Sequence, residues 1–245
     1  MKRDELLYSV LDDGQGDAHP SVWRERLSMS KETFERDLRC AVCAVDVTED
    51  EKRTLDALQS DCVALIGGIT STVHKYVQRI PLPRGFFVGS EERASAYGAV
   101  CRMLVEIEDL VSQLQTHSVK LTALDASVKR HLSCADNAHL SLIGARQAAE
   151  EAGEAEMTAC VKALSEALTE KLEEATAILN RAEQLQALVG SYLRDLIPQF
   201  LNRLTHVCDM EHDGKSCDPI ATARLLSAFY DTVQQRNGGE LCLNI

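Results

Sequence analysis

Apolar side chains along this chain recur at alternating steps of three and four residues, the spacing that lines one face of an α-helix. The first run reads Leu55, Leu58, Cys62, Leu65, Ile69, Thr72, Tyr76 and Ile80. Thr48 or Asp50 can cap it, and Pro81 and Pro83 stop it in a loop that continues to Gly89. A second helix opens at Ser90, with Glu91 and Glu92 at its positive end. One set of its heptad positions holds Val100, Ile107, Leu114, Leu121, Val128, Ala135, Leu142 and Ala149. The set three residues later holds Met103, Leu110, His117, Leu124, His131, Ala138, Ala145 and Ala152. Fourteen of these sixteen are apolar, where an apolar content of 45% gives about seven by chance.

The phase does not pass Gly153. A third seam runs Val161, Leu164, Leu168, Ala175, Ile178, Ala182, Leu185, Val189, Tyr192 and Leu196. The twelve-residue step from Ala149 to Val161 is no whole number of heptads. A register break beside a glycine predicts a helical hairpin, a continuous rod through Gly153 being the alternative. Pro198 lacks an N–H and crowds the carbonyl of Arg194, so it should kink the third helix. After a polar loop from Asp209 to Asp218, the Asp218-Pro219 pair starts a last amphipathic helix, Ile220 to Gln235, which Gly238-Gly239 should end. The alanine-rich positions from Ala135 to Ala152 would let a neighbouring helix approach closely.

Residues 1–47 predict a small helical module. A helix at about 2–11 leads into Asp12-Asp13-Gly14-Gln15-Gly16, Pro20 opens a helix to Leu27, and Ser30 caps another from Lys31 to about Val45. The expected fold is therefore all-α: an elongated antiparallel helical bundle or coiled-coil hairpin with a small N-terminal helical module. The expected parts are the module at 1–47, a long-helix bundle at 48–210, and a loop, short helix and frayed tail at 211–245.

Composition narrows the function. Aromatic residues are only 4%, which suits aliphatic seams better than a compact aromatic core. A net charge of −12 repels phosphate backbones and anionic lipids, although a local basic patch is compatible with it. Nine scattered cysteines are too sparse and odd in number for a disulfide scaffold, so a reducing cytoplasm is the expected compartment. The basic pair at the N-terminus is followed by acids and no apolar stretch, unlike a signal peptide. No run is long and apolar enough for a membrane span.

Candidate chemistry is thin. Cys40-x2-Cys43 and Cys208-x3-His212-x4-Cys217 resemble fragments of zinc sites, but the first lies on a predicted helix and the second is irregularly spaced; both read as buried or bystander thiols. His117 and His131 share a face about 21 Å apart, too far for one metal, and read as polar seam residues that set register. No nucleotide-binding loop, nucleophile elbow or His-Glu-x-x-His is present, so neither an enzyme nor a cofactor is expected.

One segment has a local likeness. Arg3 to Leu11 followed by Trp23-Arg24-Glu25-Arg26-Leu27-Ser28-Met29-Ser30-Lys31-Glu32-Thr33-Phe34-Glu35-Arg36-Asp37-Leu38 resembles the N-terminal helix-turn-helix of DeoR-type repressors. The resemblance implies that Ser30 and Thr33 contact DNA phosphates while Lys31 and Arg36 face the groove. Arg24 stands where that pattern has a small buried residue, Ser28 where it has the turn glycine, and no glycine-containing wing follows Leu38. The other reading of this segment is a set of short helices packed on the end of the bundle, with Ser30 a plain N-cap. The leading functional expectation is a scaffold, adaptor or assembly factor that binds a protein partner or itself through helical seams. A DNA-binding regulator dimerised by its coiled coil is the second, and a peripheral membrane-associated protein the third.

Overall fold

The computed structural model describes residues 19–81, 88–208 and 216–240, with side chains to residue 236. Within these residues the protein is all-α. Helix α1 spans Pro20–Met29, α2 Lys31–Cys43, α3 Glu49–Val77, α4 Ser90–Ser133, α5 Ala135–Ala152 and α6 Ala155–Ser191. A π-helical turn, Tyr192–Leu196, joins α6 to α7 (Ile197–Val207), and α8 covers Pro219–Glu240. The expected helix at 2–11, most of the 81–89 loop, His212 and the C-terminal tail lie outside the described residues.

Local chemistry explains the ends. Pro20 sits in the first turn of α1, where its missing N–H costs nothing. Ser30 is both the last cap of α1 and the first of α2. Its backbone is extended, its N–H donates to Arg26 O at 3.1 Å, and its Oγ accepts from the Thr33 N–H at 3.3 Å. At the start of α3, Thr48 Oγ1 accepts from the Glu51 N–H, and the Glu51 carboxylate accepts from the Thr48 N–H at 2.9 Å, a reciprocal capping box.

Gly153 ends α5 in the left-handed region, with φ 73°. The Glu154 N–H donates back to Ala149 O at 3.0 Å and the Gly153 N–H to Glu150 O at 3.1 Å, the paired bonds of a Schellman motif. The expected hairpin is therefore present. The expectation of one unbroken helix from Ser90 to Ala152 needs a small correction: Cys134 forms a single turn between α4 and α5, its N–H shifting to His131 O. The heptad phase carries across it, because Val128, Ala138, Leu142 and Ala149 are all buried.

The helices divide into two units. The first contains residues 1–53 and 124–182, the second 54–123 and 183–245. In the first, α1 and α2 pack on the α5–α6 hairpin around Trp23, Phe34, Leu38, Val42, Leu142, Val161 and Leu164. The Trp23 and Phe34 rings meet edge-to-face with centroids 5.4 Å apart. Ala138, Ser141, Gly144, Ala145 and Ala148 are buried on α5. Small side chains let backbones approach, which is what the alanine-rich stretch implied.

The second unit buries Leu58, Cys62, Ile66, Ile69, Val73 and Tyr76 of α3 with Val100, Met103, Ile107 and Leu114 of α4. Leu65 and Thr72, expected in the α3 seam, are only half-buried; Ile66 and Val73 take the interior. A globular helix presents a wider apolar stripe than a strict heptad, and the next position round the face fills it. The third seam fares better: all ten of its expected residues are buried.

The regular α-helix is interrupted just before Pro198, where the π turn delivers the Ile197 N–H to Tyr192 O and Pro198 falls in the first turn of α7, a position that needs no N–H. One further expectation needs correcting. Helix α8 runs through Gly238 and Gly239 to Glu240. Glycine raises the cost of a helix without forbidding it.

Candidate interaction surface

The four residues that the DeoR likeness singles out lie together at the α1–α2 corner. Lys31 Nζ hydrogen-bonds and ion-pairs with Glu154 at the hairpin tip, and this contact raises its pKa. Arg36 pairs with its neighbour Asp37 at 3.1 Å. Ser30 Oγ donates to Glu32 at 2.6 Å as well as capping α2, and the Thr33 N–H is the group it caps. The turn between the helices is the single residue Ser30, where a helix-turn-helix has three or four. Arg24 forms an ion pair with Glu151 at 2.5 Å. That contact accounts for an arginine at a position where the resembling family keeps a small residue.

The two seam histidines each meet a carboxylate of α3. In the second unit, His117 Nε2 lies 3.8 Å from Asp61. In the first, His131 sits between two acceptors: Nδ1 is 3.2 Å from Ala44 O and Nε2 3.2 Å from the Glu51 carboxylate. Ser127 Oγ also donates to Glu51, at 2.5 Å. Burial would push the Glu51 carboxyl up, but the Ser127 hydroxyl, the Thr48 amide and hydroxyl and the His131 charge outweigh it and hold the group down to about 2. Neighbouring pairs tie the same region together, with Lys52–Glu174 and Lys171–Asp46 both at 2.6 Å.

Cys208 and Cys217 correct the reading of bystander thiols. They form a disulfide in the second unit, both ends buried. The cause is local: α7 ends at Val207, Asp218 caps α8 by accepting from the Ile220 N–H at 2.9 Å, and the Cys217 N–H donates to Arg93 O at 3.3 Å. Spacing alone could not reveal a pairing that depends on two helix ends meeting. Cys40 and Cys43 are exposed free thiols on α2.

A further surface lies along the α5–α6 hairpin. A groove of about 600 Å³ runs between His139, Ile143 and Arg146 of α5 and Ala155, Ala159 and Lys162 of α6, with Leu142 and Val161 buried at its base. Ile143 is 52% exposed and Leu140, three residues before it, 45%. Among the described residues the other large exposed apolar side chains are Met29 on α1, Val105 and Val119 on α4, and Ile220 on α8. Single exposed apolar residues are ordinary; a pair on one helical turn beside a groove is a feature. Periodicity gave no signal of it, because Leu140 and Ile143 fall outside both heptad sets.

Searches against protein-family models, curated proteins and solved structures found no match to this chain. Among the described residues, no helix is long and apolar enough to cross a membrane. No group of three or more His, Cys, Asp or Glu among them could hold a metal ion.

Proposed function

We propose that this chain is a non-enzymatic interaction protein, a scaffold, adaptor or assembly factor, that works by presenting helical faces to a protein partner or to a second copy. The observation that carries the reading is the Leu140–Ile143 pair exposed beside the hairpin groove. Aliphatic side chains left in water at one spot, above a groove between two helices, gain free energy when a further helix covers them, at roughly 25 cal/mol per Å² of apolar surface removed. The DNA-reading alternative has weaker support, since both cations it would use are held by carboxylates.

The test is affinity capture from cell extract with the full chain and with its Ile143→Asp variant, quantified by mass spectrometry, alongside light scattering of both. Proteins retained by the wild type and lost from the variant, or a wild-type dimer that the variant dissociates, support the reading. A monomer that retains the same proteins with and without Ile143 removes it.

A further inference from the structure

The hairpin groove also has a sign. None of the ten residues lining it is acidic, although the chain as a whole carries a charge of −12. Its polar side chains are His139 and Arg146 on the α5 wall and Lys162, Thr158 and Ser165 on the α6 wall. Arg146 is tied to Glu150 on its own helix at 2.7 Å. Lys162 and His139 have no hydrogen-bond or ion-pair partner among the described residues. An ammonium group on an exposed wall, next to the exposed Ile143 and the small side chains of Ala155 and Ala159, is matched by a ligand that brings carboxylate and apolar surface together.

From this geometry we infer that the α5–α6 groove is a docking site for an acidic amphipathic helix of a partner protein. The inference deepens the interaction reading and rests on it. Two antiparallel helices joined by a tight turn leave a straight furrow, and a third helix fills such a furrow with side chains spaced at i, i+3 or i+4, and i+7. Ala155 and Ala159 keep the α6 wall low, so aliphatic anchors of the incoming helix pack against the exposed Ile143 and the two alanines, over a base already closed by Leu142 and Val161. Asp or Glu on the flank of that helix meets Lys162, with His139 and Arg146 on the opposite wall. Charge then selects the partner and its orientation, while apolar contact supplies the larger part of the affinity. A basic helix, by contrast, would bring like charge against Lys162 and Arg146.

The experiment uses the full chain as bait for a display library of 16-residue helical peptides randomised along one face, with all residue types at each flank. Winning peptides are then measured by fluorescence anisotropy against wild type, Ile143→Asp, Lys162→Glu and, as a distant control, Val105→Asp. The expected outcome is enrichment of aliphatic anchors with Asp or Glu flanks. Binding should fall at least tenfold in Ile143→Asp and Lys162→Glu, weaken as salt rises, and hold in Val105→Asp. Both test positions are exposed, so circular dichroism of the variants should match the wild type. No enrichment, basic flanks, or binding indifferent to Ile143 and Lys162 overturns the inference. Light scattering that shows Ile143→Asp dissolving a dimer overturns it too, with a second copy then the occupant and the broader interaction reading intact. If affinity capture also gives nothing that depends on Ile143, the broader reading falls as well.

Discussion

At the scale of single residues, the Glu51 carboxylate meets Thr48, Ser127 and His131, and this environment makes a pH prediction. Its carboxyl is held near 2 when folded, against about 4.3 in an unfolded chain. A depressed carboxylate contributes stability that is complete above the unfolded value and is lost as pH falls toward the folded one. Acid between about pH 4.5 and 2 should therefore cost on the order of 2 kcal/mol at this site, and Glu51→Gln should remove that component from the pH-dependence of denaturant unfolding. Equal pH slopes for variant and wild type would refute the assignment. Two glycines give opposite expectations. A Cβ at Gly67 meets nothing within 4 Å inside helix α3, so Gly67→Ala should stabilise by about 0.5–1 kcal/mol. Gly153 has space but a φ of 73°, so Gly153→Ala should destabilise by roughly 1–2 kcal/mol. Both can be read from urea melts. The sequence marked Gly153 through the phase break around it, whereas no pattern told Gly67 from a glycine that packing requires.

At the scale of elements, close packing of the N-terminal helices on α5 depends on small side chains. Ala145 is fully buried, and Ala145→Leu should overpack the interface at a cost of about 1–3 kcal/mol in thermal or urea unfolding. A neutral result would mean that the hairpin and the module are looser than the geometry states. The Cys208–Cys217 bridge joins α7 to the cap of α8 across nine residues. Peptide mapping without reductant should recover the linked pair, and reduction should lower stability by roughly 2–3 kcal/mol. The helices themselves were legible because burial imposes a period: Val100, Ile107, Leu114 and Leu121 are buried in the order their spacing implies. Partners were not legible. That Lys31 would meet Glu154, or Arg24 meet Glu151, depends on how a hairpin folds back after Gly153, and local spacing carries no trace of it.

At the scale of the molecule, the sequence disclosed class before contacts. A strong three-and-four periodicity pointed to helical packing, and low aromatic content suited its aliphatic seams. The groove on α5–α6 left no mark in the sequence because its exposed wall residues, such as Ile143 and Lys162, fall between the seam positions. The π turn before Pro198 carries a consequence for how this chain tolerates changes in length. A π turn accommodates one extra residue while leaving the helix on either side in phase. Loss of a single residue between Tyr192 and Leu196 would return the segment to ordinary α geometry and leave Phe200 and Leu204 pointing as they do now, with Phe200 still against Phe229. The same loss one turn earlier would swing everything downstream by about 100°, turning that apolar face out to water. Within α6 and α7, deletion of one residue inside the π turn should therefore leave urea stability largely intact, whereas the same deletion one turn earlier should lower it.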